Sequence, residues 1–417
     1  MKNNTVIFEK AVLPLKKTYS LAVIGGGASG LVAAISHKTE YKNNSVLVVE
    51  KMPRVGKKIL ATGNGRCNLT NLSATPIDYN RPEFVTPALT TFSPERNIEF
   101  FKSIGLFTCA DSEGRVYPYS FNASSVLNCL RNGCERLNID VVVDHIVKDI
   151  RNKNGAFVID GEYECEKLII ACGGKSSSVH GSDGSGYALL KKAGHSIVEP
   201  KPSLVQICTD NSVTKKLKGI RVRGRLTLEE NGKPLGESQG EILFTDYGIS
   251  GIAALDVSSF IARQKSVSGL KIKVDMAADF SLETLADYIS YEVNNFPDSL
   301  CENVLSFLLP QKAGEVFVKE CGIDLKKPLR SLTKEDVKKL VHVMKSFTLE
   351  VIGTKGFDMS QITCGGADTR EFDKKTMQSK ILKNLYCCGE TLDVDAKCGG
   401  YNLQWAWSSG RLAGLCR

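Results

Sequence analysis

The feature that most constrains this chain is the hexapeptide Gly25-Gly26-Gly27-Ala28-Ser29-Gly30, placed directly after the apolar run Tyr19 to Ile24. Glycines stand at its first, third and sixth positions. In that spacing the first permits a tight turn and the second lets the backbone approach a pyrophosphate. The third lets the following helix pack closely. Helical spacing follows from about Gly30 to Thr39, and then a second apolar strand, Ser45 to Glu50. Strand, glycine turn, helix and strand in about 30 residues is the βαβ unit of a parallel sheet. The helix start presents free N–H groups and a partial positive charge to phosphates. Glu50 closes the second strand, where a carboxylate accepts bonds from ribose hydroxyls. FAD and NAD share this fingerprint, whereas a 2′-phosphate beside Glu50 would be repelled.

Four further segments carry the same kind of chemistry. The stretch Gly56 to Asn71 reads as too polar and too broken for a core element. Within it, Gly63 and Gly65 let the backbone lie flat on a ligand, while Asn64, Arg66 and Asn68 supply donors. Lys57 and Lys58 add positive charge nearby. Two more apolar strands end in glycine: Leu168 to Cys172 runs into Gly173-Gly174, and Leu385 to Cys388 into Gly389-Glu390. Ligands of open α/β sheets bind beyond the carboxyl ends of the strands. Three such ends from distant segments imply one long cofactor lying across a sheet, and FAD has that length. Last, Cys398-Gly399-Gly400-Tyr401-Asn402 opens an apolar helix whose Trp405 and Trp407 read as core. Its start can donate hydrogen bonds to a flavin pyrimidine ring and stabilise negative charge there.

At 417 residues the chain exceeds the size of one core, so two or three domains are expected. Residues Asp140 to Val158 alternate as antiparallel strands do. Ile220, Val222, Leu226 and Leu228 alternate with Arg221, Arg223, Arg225 and Thr227, a half-buried strand closed by the hairpin signal Asn231-Gly232. From Ser281 to Ser346 the pattern turns helical, with Thr333 and Asp336 spaced as an N-terminal cap and Pro297, Pro310 and Pro328 as breaks. Lys+Arg 54 against Asp+Glu 46 gives +8 without a dense basic run, which argues against nucleic-acid binding. The 14 cysteines contain no Cys-x-x-Cys pair, so they read as reduced thiols of the cytoplasm rather than a zinc or redox motif. His37, His145, His180, His195 and His342 have no metal or triad spacing, and no metal site is expected. The opening MKNNTVIFEKAVLPLKKTYS lacks a leader's apolar stretch, and no run of about 18 apolar residues appears. A cytoplasmic protein without membrane contact is the expectation.

Taken together, GGGASG (25–30), GKKILATGNGRCNLTN (56–71), GRVYP (114–118), ACGGKSS (171–177), LFTDYGISG (243–251) and GETLDVDAKCGGYNLQWAWSSG (389–410) carry a resemblance. Over nearly its whole length the chain resembles the BaiN/YhiN-like family of NAD(P)/FAD-dependent oxidoreductases, the aminoacetone-oxidase-like flavoproteins. The resemblance implies an α/β fold: a Rossmann-like FAD-binding domain (three-layer ββα) with an inserted β-barrel-like domain and a helical domain. The expected division is 1–192 with 363–417, then 193–278 with 346–362, then 279–345. It implies FAD contacts at Gly25, Gly27, Gly30, Glu50, Asn64, Arg66 and Cys67, and at Gly389, Glu390, Tyr401 and Asn402. Val147 and Ala171 would border the adenosine end. Ala28, Ser29, Lys51, Lys58, Gly65, Asn68, Cys172, Gly173 and Gly400, beside these contacts, complete the expected set. Two departures stand out: Asn64 where the loop often has a second glycine, and Ala396 where a glycine is common.

Members of the family resemble both reductases of steroid-like enones and amine oxidases. The leading expectation is therefore an FAD enzyme using NADH or NADPH to reduce a small organic molecule, with a conjugated carbon–carbon double bond as its target. An oxygen-using amine oxidase and a low-turnover flavin-binding protein are the alternatives. Gly181 to Gly186 follows no clear strand and reads as a loop, so a nicotinamide would bind without its own Rossmann unit. No catalytic side chain is fixed; Arg66, Tyr247, Cys398 and Tyr401 are the candidates for the substrate side. The Arg221/Arg223/Arg225 face reads as solvated. Nothing in the sequence reports an oligomeric state.

Overall fold

The computed structural model describes residues 17–153, 155–210 and 212–416. The opening residues 1–16, read above for a leader, lie outside them. Five strands of one sheet run parallel, in the order Asp140–Val142, Val46–Val49, Lys17–Ile24, Tyr163–Ile170 and Leu385–Cys387. Leu21, Ala22, Val23, Val46 to Val49 and Leu168 to Ile170 are all buried. A parallel sheet covered on both faces needs such unbroken apolar runs. The start of Tyr163–Ile170 pairs instead with the antiparallel hairpin of Ile150–Lys153 and Ala156–Ile159. The alternation from Asp140 therefore contains one parallel strand and one hairpin. Asp140–Val142 is parallel because helix Ala123–Arg136 precedes it and returns the chain to the starting edge of the sheet.

Helix Ala28–Glu40 is buried along most of its length. The final helix Tyr401–Gly414 lies on it through two glycines. A Cβ at Gly410 or Gly414 would sit 2.4 Å from the Ser29 or Ala33 carbonyl oxygen. Trp405 and Trp407 are core as expected, with their indole N–H groups donating to Gly389 O at 3.1 Å and Leu69 O at 2.8 Å.

Between these halves the chain builds a closed six-stranded barrel in the order Ile207–Thr209, Gly248–Ser250, Lys233–Phe244, Arg221–Glu230, Leu270–Asp275 and Phe347–Thr354. Val222, Leu226 and Leu228 point inward and the arginines outward. Asn231 and Gly232 make the two-residue turn with φ of 51° and 76°, the paired left-handed geometry that suits a hairpin. Helices Leu282–Asn295, Gln311–Glu320 and Lys334–Ser346 follow, the last started by the reciprocal Thr333–Asp336 cap. Leu285, Phe317, Leu340 and Met344 join Ile272 and Val274 in a single core shared with the barrel. Strands Ile197–Ser203 and Ile362–Ala367 pair antiparallel where the chain enters and leaves this second unit.

His195 pins the excursion between Ile362–Ala367 and Leu385–Cys387. Its Nδ1 lies 2.9 Å from Glu371 Oε2 and its Nε2 2.9 Å from Ser379 Oγ. These are the distances of a hydrolytic triad, yet the Ser379 hydroxyl is 6% exposed and accepts from the Ile381 and Leu382 amides. An oxygen so occupied is a clamp and not a nucleophile. Burial lowers the His195 pKa, outweighing Glu371, which raises it. The folded state thus binds fewer protons just below the unfolded value of about 6.5, and this stability is lost as pH falls through that region. Thermal unfolding of wild type and His195→Asn from pH 5 to 8 should converge toward acid. Parallel curves would refute the clamp, and the difference removes the similar effect of His37.

Candidate functional site

Three distant segments meet at one edge of the sheet. Ile24 is level with Val49 and with Ile170, and Ile170 with Cys387. The glycine turns that follow therefore leave the sheet side by side. At Gly25, with φ 109°, a Cβ would lie 2.4 Å from Ala171 O. At Gly30 it would lie 1.9 Å from Gly25 O, and at Gly389 2.4 Å from Ser29 Oγ. Those positions are closed to any side chain. Gly27 is different, because nothing lies within 4 Å of its Cβ position. The first bond of the helix is Leu31 N to Gly27 O at 3.0 Å, so the preceding amides stand free of the helical ladder at an open trough.

Glu50 is 9% exposed and accepts the Gly26 and Met52 amides, both at 2.8 Å, one on each oxygen. Each oxygen keeps a lone pair for a hydroxyl. Lys51, Val147, Cys172 and Ser185 share a shallow pocket with it. Lys51 is paired to Asp183 at 2.5 Å, and Lys58 to Glu390 Oε2 at 2.8 Å. The other Glu390 oxygen accepts Thr363 N at 2.7 Å. Gly173 N donates to Thr391 Oγ1 at 2.9 Å. Both lysines are thus part of ion pairs that flank the trough.

The Gly56–Asn71 stretch, read as too polar and too broken for a core element, is in part buried. Asn64, Gly65 and Arg66 are exposed, with Gly63 and Asn64 both left-handed at φ 56° and 53°. Cys67, Leu69 and Thr70 are buried, and burial pushes the Cys67 thiol up to about 12. Polarity hid this because the loop is anchored by contacts with the other end of the chain. Thr70 Oγ1 donates to Gln404 Oε1 at 2.6 Å and Asn71 Nδ2 to Gly399 O at 3.2 Å. Gly400 takes φ 101°, and its Cβ position lies 2.8 Å from Asn68 Oδ1. That oxygen is buried and has no hydrogen-bond partner in the protein. A buried acceptor left unpaired calls for an explanation, and a ligand N–H supplies one.

The substrate-side candidates part company here. Cys398 and Tyr401 flank the glycine pair at the start of the final helix. Tyr401 is 6% exposed, its carbonyl accepts the Tyr79 hydroxyl at 2.8 Å, and Lys397 Nζ stands 4.7 Å over its ring. Asn402 spends its amide on Ala396 N and O, both at 2.9 Å, leaving only its backbone for a cofactor. Tyr247 sits at a barrel corner, with Lys355 4.0 Å over its ring and its carbonyl accepting Thr209 N. Its contacts are with barrel residues. Several site residues escaped the sequence reading. Asp256 and Arg263, on barrel helix Ile252–Ala262 and just past it, reach Cys398 and Asp395 across the two units. No local pattern marks a partner more than a hundred positions away.

Open space at Gly27, free amides, the Glu50 carboxylate and the unpaired Asn68 oxygen together fit a long, phosphate-bridged dinucleotide carrying a ring N–H. Among the described residues no cluster of metal-ligating side chains occurs, and no helix is long and apolar enough to cross a membrane.

A family profile described as the HI0933-like protein Rossmann domain matches residues 19–416. A 3-dehydro-bile acid delta(4,6)-reductase from Clostridium scindens is 36% identical over 400 residues, spanning 94% of this chain and 98% of that protein. A ribosomal RNA dihydrouridine synthase from Haemophilus influenzae is 30% identical over 406 residues, spanning 94% and 97%. Among solved structures, a 3-ketosteroid-delta4-(5alpha)-dehydrogenase from Rhodococcus jostii aligns over 97% of this chain and 98% of its own, with 15% identity and a TM-score of 0.49. The chain belongs to the HI0933-like family, a Rossmann-domain family of flavoprotein oxidoreductases.

Proposed function

We propose that this protein is an FAD-dependent reductase that saturates a carbon–carbon double bond conjugated to a carbonyl, with NADH or NADPH as electron source. The observation that carries the proposal is the level alignment of Ile24, Ile170 and Cys387, which gathers three glycine turns into one trough. Two relatives, a delta(4,6)-reductase and a dihydrouridine synthase, have names that share the saturation of a double bond.

In this reading the Gly25–Gly30 turn and its helix start hold the pyrophosphate and Glu50 the ribose. Arg66 and Asn64 close over the cofactor from their exposed loop. When bound, the flavin supplies a hydride to the carbon distal to the substrate carbonyl. The helix start at Gly400 and Tyr401 stabilises negative charge on the pyrimidine side. Barrel helix Ile252–Ala262, tied to Cys398 through Asp256, forms the opposite wall and excludes water.

The test begins with the purified protein's absorption spectrum and anaerobic mixing. NADH or NADPH should bleach the flavin band. Cyclohexenone, a 3-keto-4-ene steroid or a uridine-containing RNA should then restore it, and which of them does so identifies the source of the double bond. Bleaching by an amine but by neither nicotinamide would replace this reading with the oxidase. No flavin bound at all would end both.

A further inference from the structure

Saturating a conjugated double bond needs a proton as well as two electrons, delivered to the carbon next to the carbonyl. Just before the final helix one acid is held by both halves of the molecule. Cys398 directly precedes Gly399, and its amide donates to Asp256 Oδ1 at 2.7 Å. Asp256 belongs to barrel helix Ile252–Ala262. Its other oxygen accepts Ser238 Oγ, from strand Lys233–Phe244, at 3.2 Å. The carboxylate is thereby anchored through both oxygens with the Cys398 thiol beside it, and Lys397 is the remaining charge facing it. Two residues beyond Cys398, a Cβ at Gly400 would lie 2.8 Å from the buried, unpaired Asn68 oxygen, an acceptor that a ligand N–H would satisfy.

We infer, on the reading proposed above, that Cys398 delivers the substrate proton and that Asp256 is its positioning residue. As the distal carbon gains hydride, the electron pair of the double bond moves onto the carbon beside the carbonyl. That carbon takes the thiol proton, forming a C–H bond as the S–H bond breaks. The thiolate left behind is reprotonated from water. The two electrons come from the reduced flavin and ultimately from the nicotinamide.

The neighbouring candidates are less suited. A guanidinium such as Arg66 does not surrender its proton. The Tyr401 ring is buried under Lys397, and Tyr247 is engaged by Lys355 on the barrel. Burial first, and then the Asp256 carboxylate, hold the Cys398 thiol well above its ordinary range. It therefore keeps its proton until a strong carbon base forms beside it.

Cys398→Ala, Cys398→Ser and Asp256→Asn test the assignment in two arms. In single turnovers of pre-reduced enzyme with cyclohexenone or a uridine oligonucleotide, Cys398→Ala should slow flavin reoxidation by about 10²–10⁴-fold. Reduction by nicotinamide should keep its rate, and Cys398→Ser should recover part of the loss. Reoxidation of the alanine variant within about threefold of wild type would overturn the inference. The second arm needs no substrate: iodoacetamide labelling of Cys398, read by peptide mass as pH rises. Wild type should label only above the midpoint of a free thiol, about 8.5, and Asp256→Asn should move that midpoint down. An ordinary midpoint in wild type, or none of this shift, would also overturn the pairing. Wild-type enzyme that neither probe reoxidises contradicts the proposed reaction instead, and the labelling still decides the pair.

Discussion

Gly30→Ala should lose its flavin and unfold at markedly lower urea, by about 3 kcal/mol, the upper range for forcing atoms into a packed site. The added Cβ would lie 1.9 Å from Gly25 O, so helix Ala28–Glu40 must slide or the turn must open. Against a total stability of roughly 5–15 kcal/mol, that is a large share. Gly27→Ala is the informative companion. Its φ of −86° suits any residue, and its Cβ meets nothing within 4 Å. The cofactor-free Gly27→Ala protein should therefore unfold where the wild type does. Its methyl nevertheless fills the space through which a pyrophosphate would approach, so flavin content after purification should fall steeply. Equal flavin in Gly27→Ala and wild type would place the cofactor elsewhere.

Arg263→Ala should be the most damaging change outside the trough. Asp395 is 1% exposed at its side chain and receives both its carboxylate bonds from Arg263 Nη2, each 2.9 Å. Deleting one member of a buried pair leaves an uncompensated charge, a loss of 3–5 kcal/mol. Arg263 is itself 35% exposed, so solvent moderates the loss and about 3 kcal/mol is expected. Burial raises the Asp395 carboxyl to about 6, Arg263 opposing it. The folded state therefore binds more protons than the unfolded one between about 4 and 6. That contribution favours folding at low pH and is lost as pH rises through 6. The defect of Arg263→Ala should accordingly be greatest near pH 7.5 and shrink toward pH 5, and Asp395→Asn in the same chain should restore most of it. Urea midpoints that ignore pH would show that the pair carries no buried charge.

What the sequence made legible follows from how far each signal reaches. The βαβ unit and its glycines, the Asn231-Gly232 turn and the Thr333 cap are short-range patterns, and each lies where it was read. The barrel strands announced themselves through alternation at Val222, Leu226 and Leu228, although closure into a ring did not. Parallel pairing of Asp140–Val142 was missed because alternation reports a face and not a direction. The glycine-ended strands at Cys172 and Cys388 hinted at a shared edge, and the register makes them neighbours. The Asp256–Cys398 and Arg263–Asp395 contacts had no such hint. Lys51, Lys58 and Asn402, expected beside the cofactor, each have a protein partner that the sequence did not show. Composition identifies a donor; only packing shows what it already holds.

The pairing of Leu385–Cys387 in register with Tyr163–Ile170 has a consequence for biogenesis. More than two hundred residues, including the whole barrel and its helices, are synthesised between those partners. A nascent chain can close the barrel early, since its core draws on residues from Ile207 to Val351. The dinucleotide fold, by contrast, lacks a wall until the final strand leaves the ribosome, and long-range pairing of this kind is slow. Capture of the yellow cofactor thus follows synthesis of Leu385–Cys387, and a cell short of riboflavin should accumulate chains with a finished barrel and an unfinished nucleotide cradle.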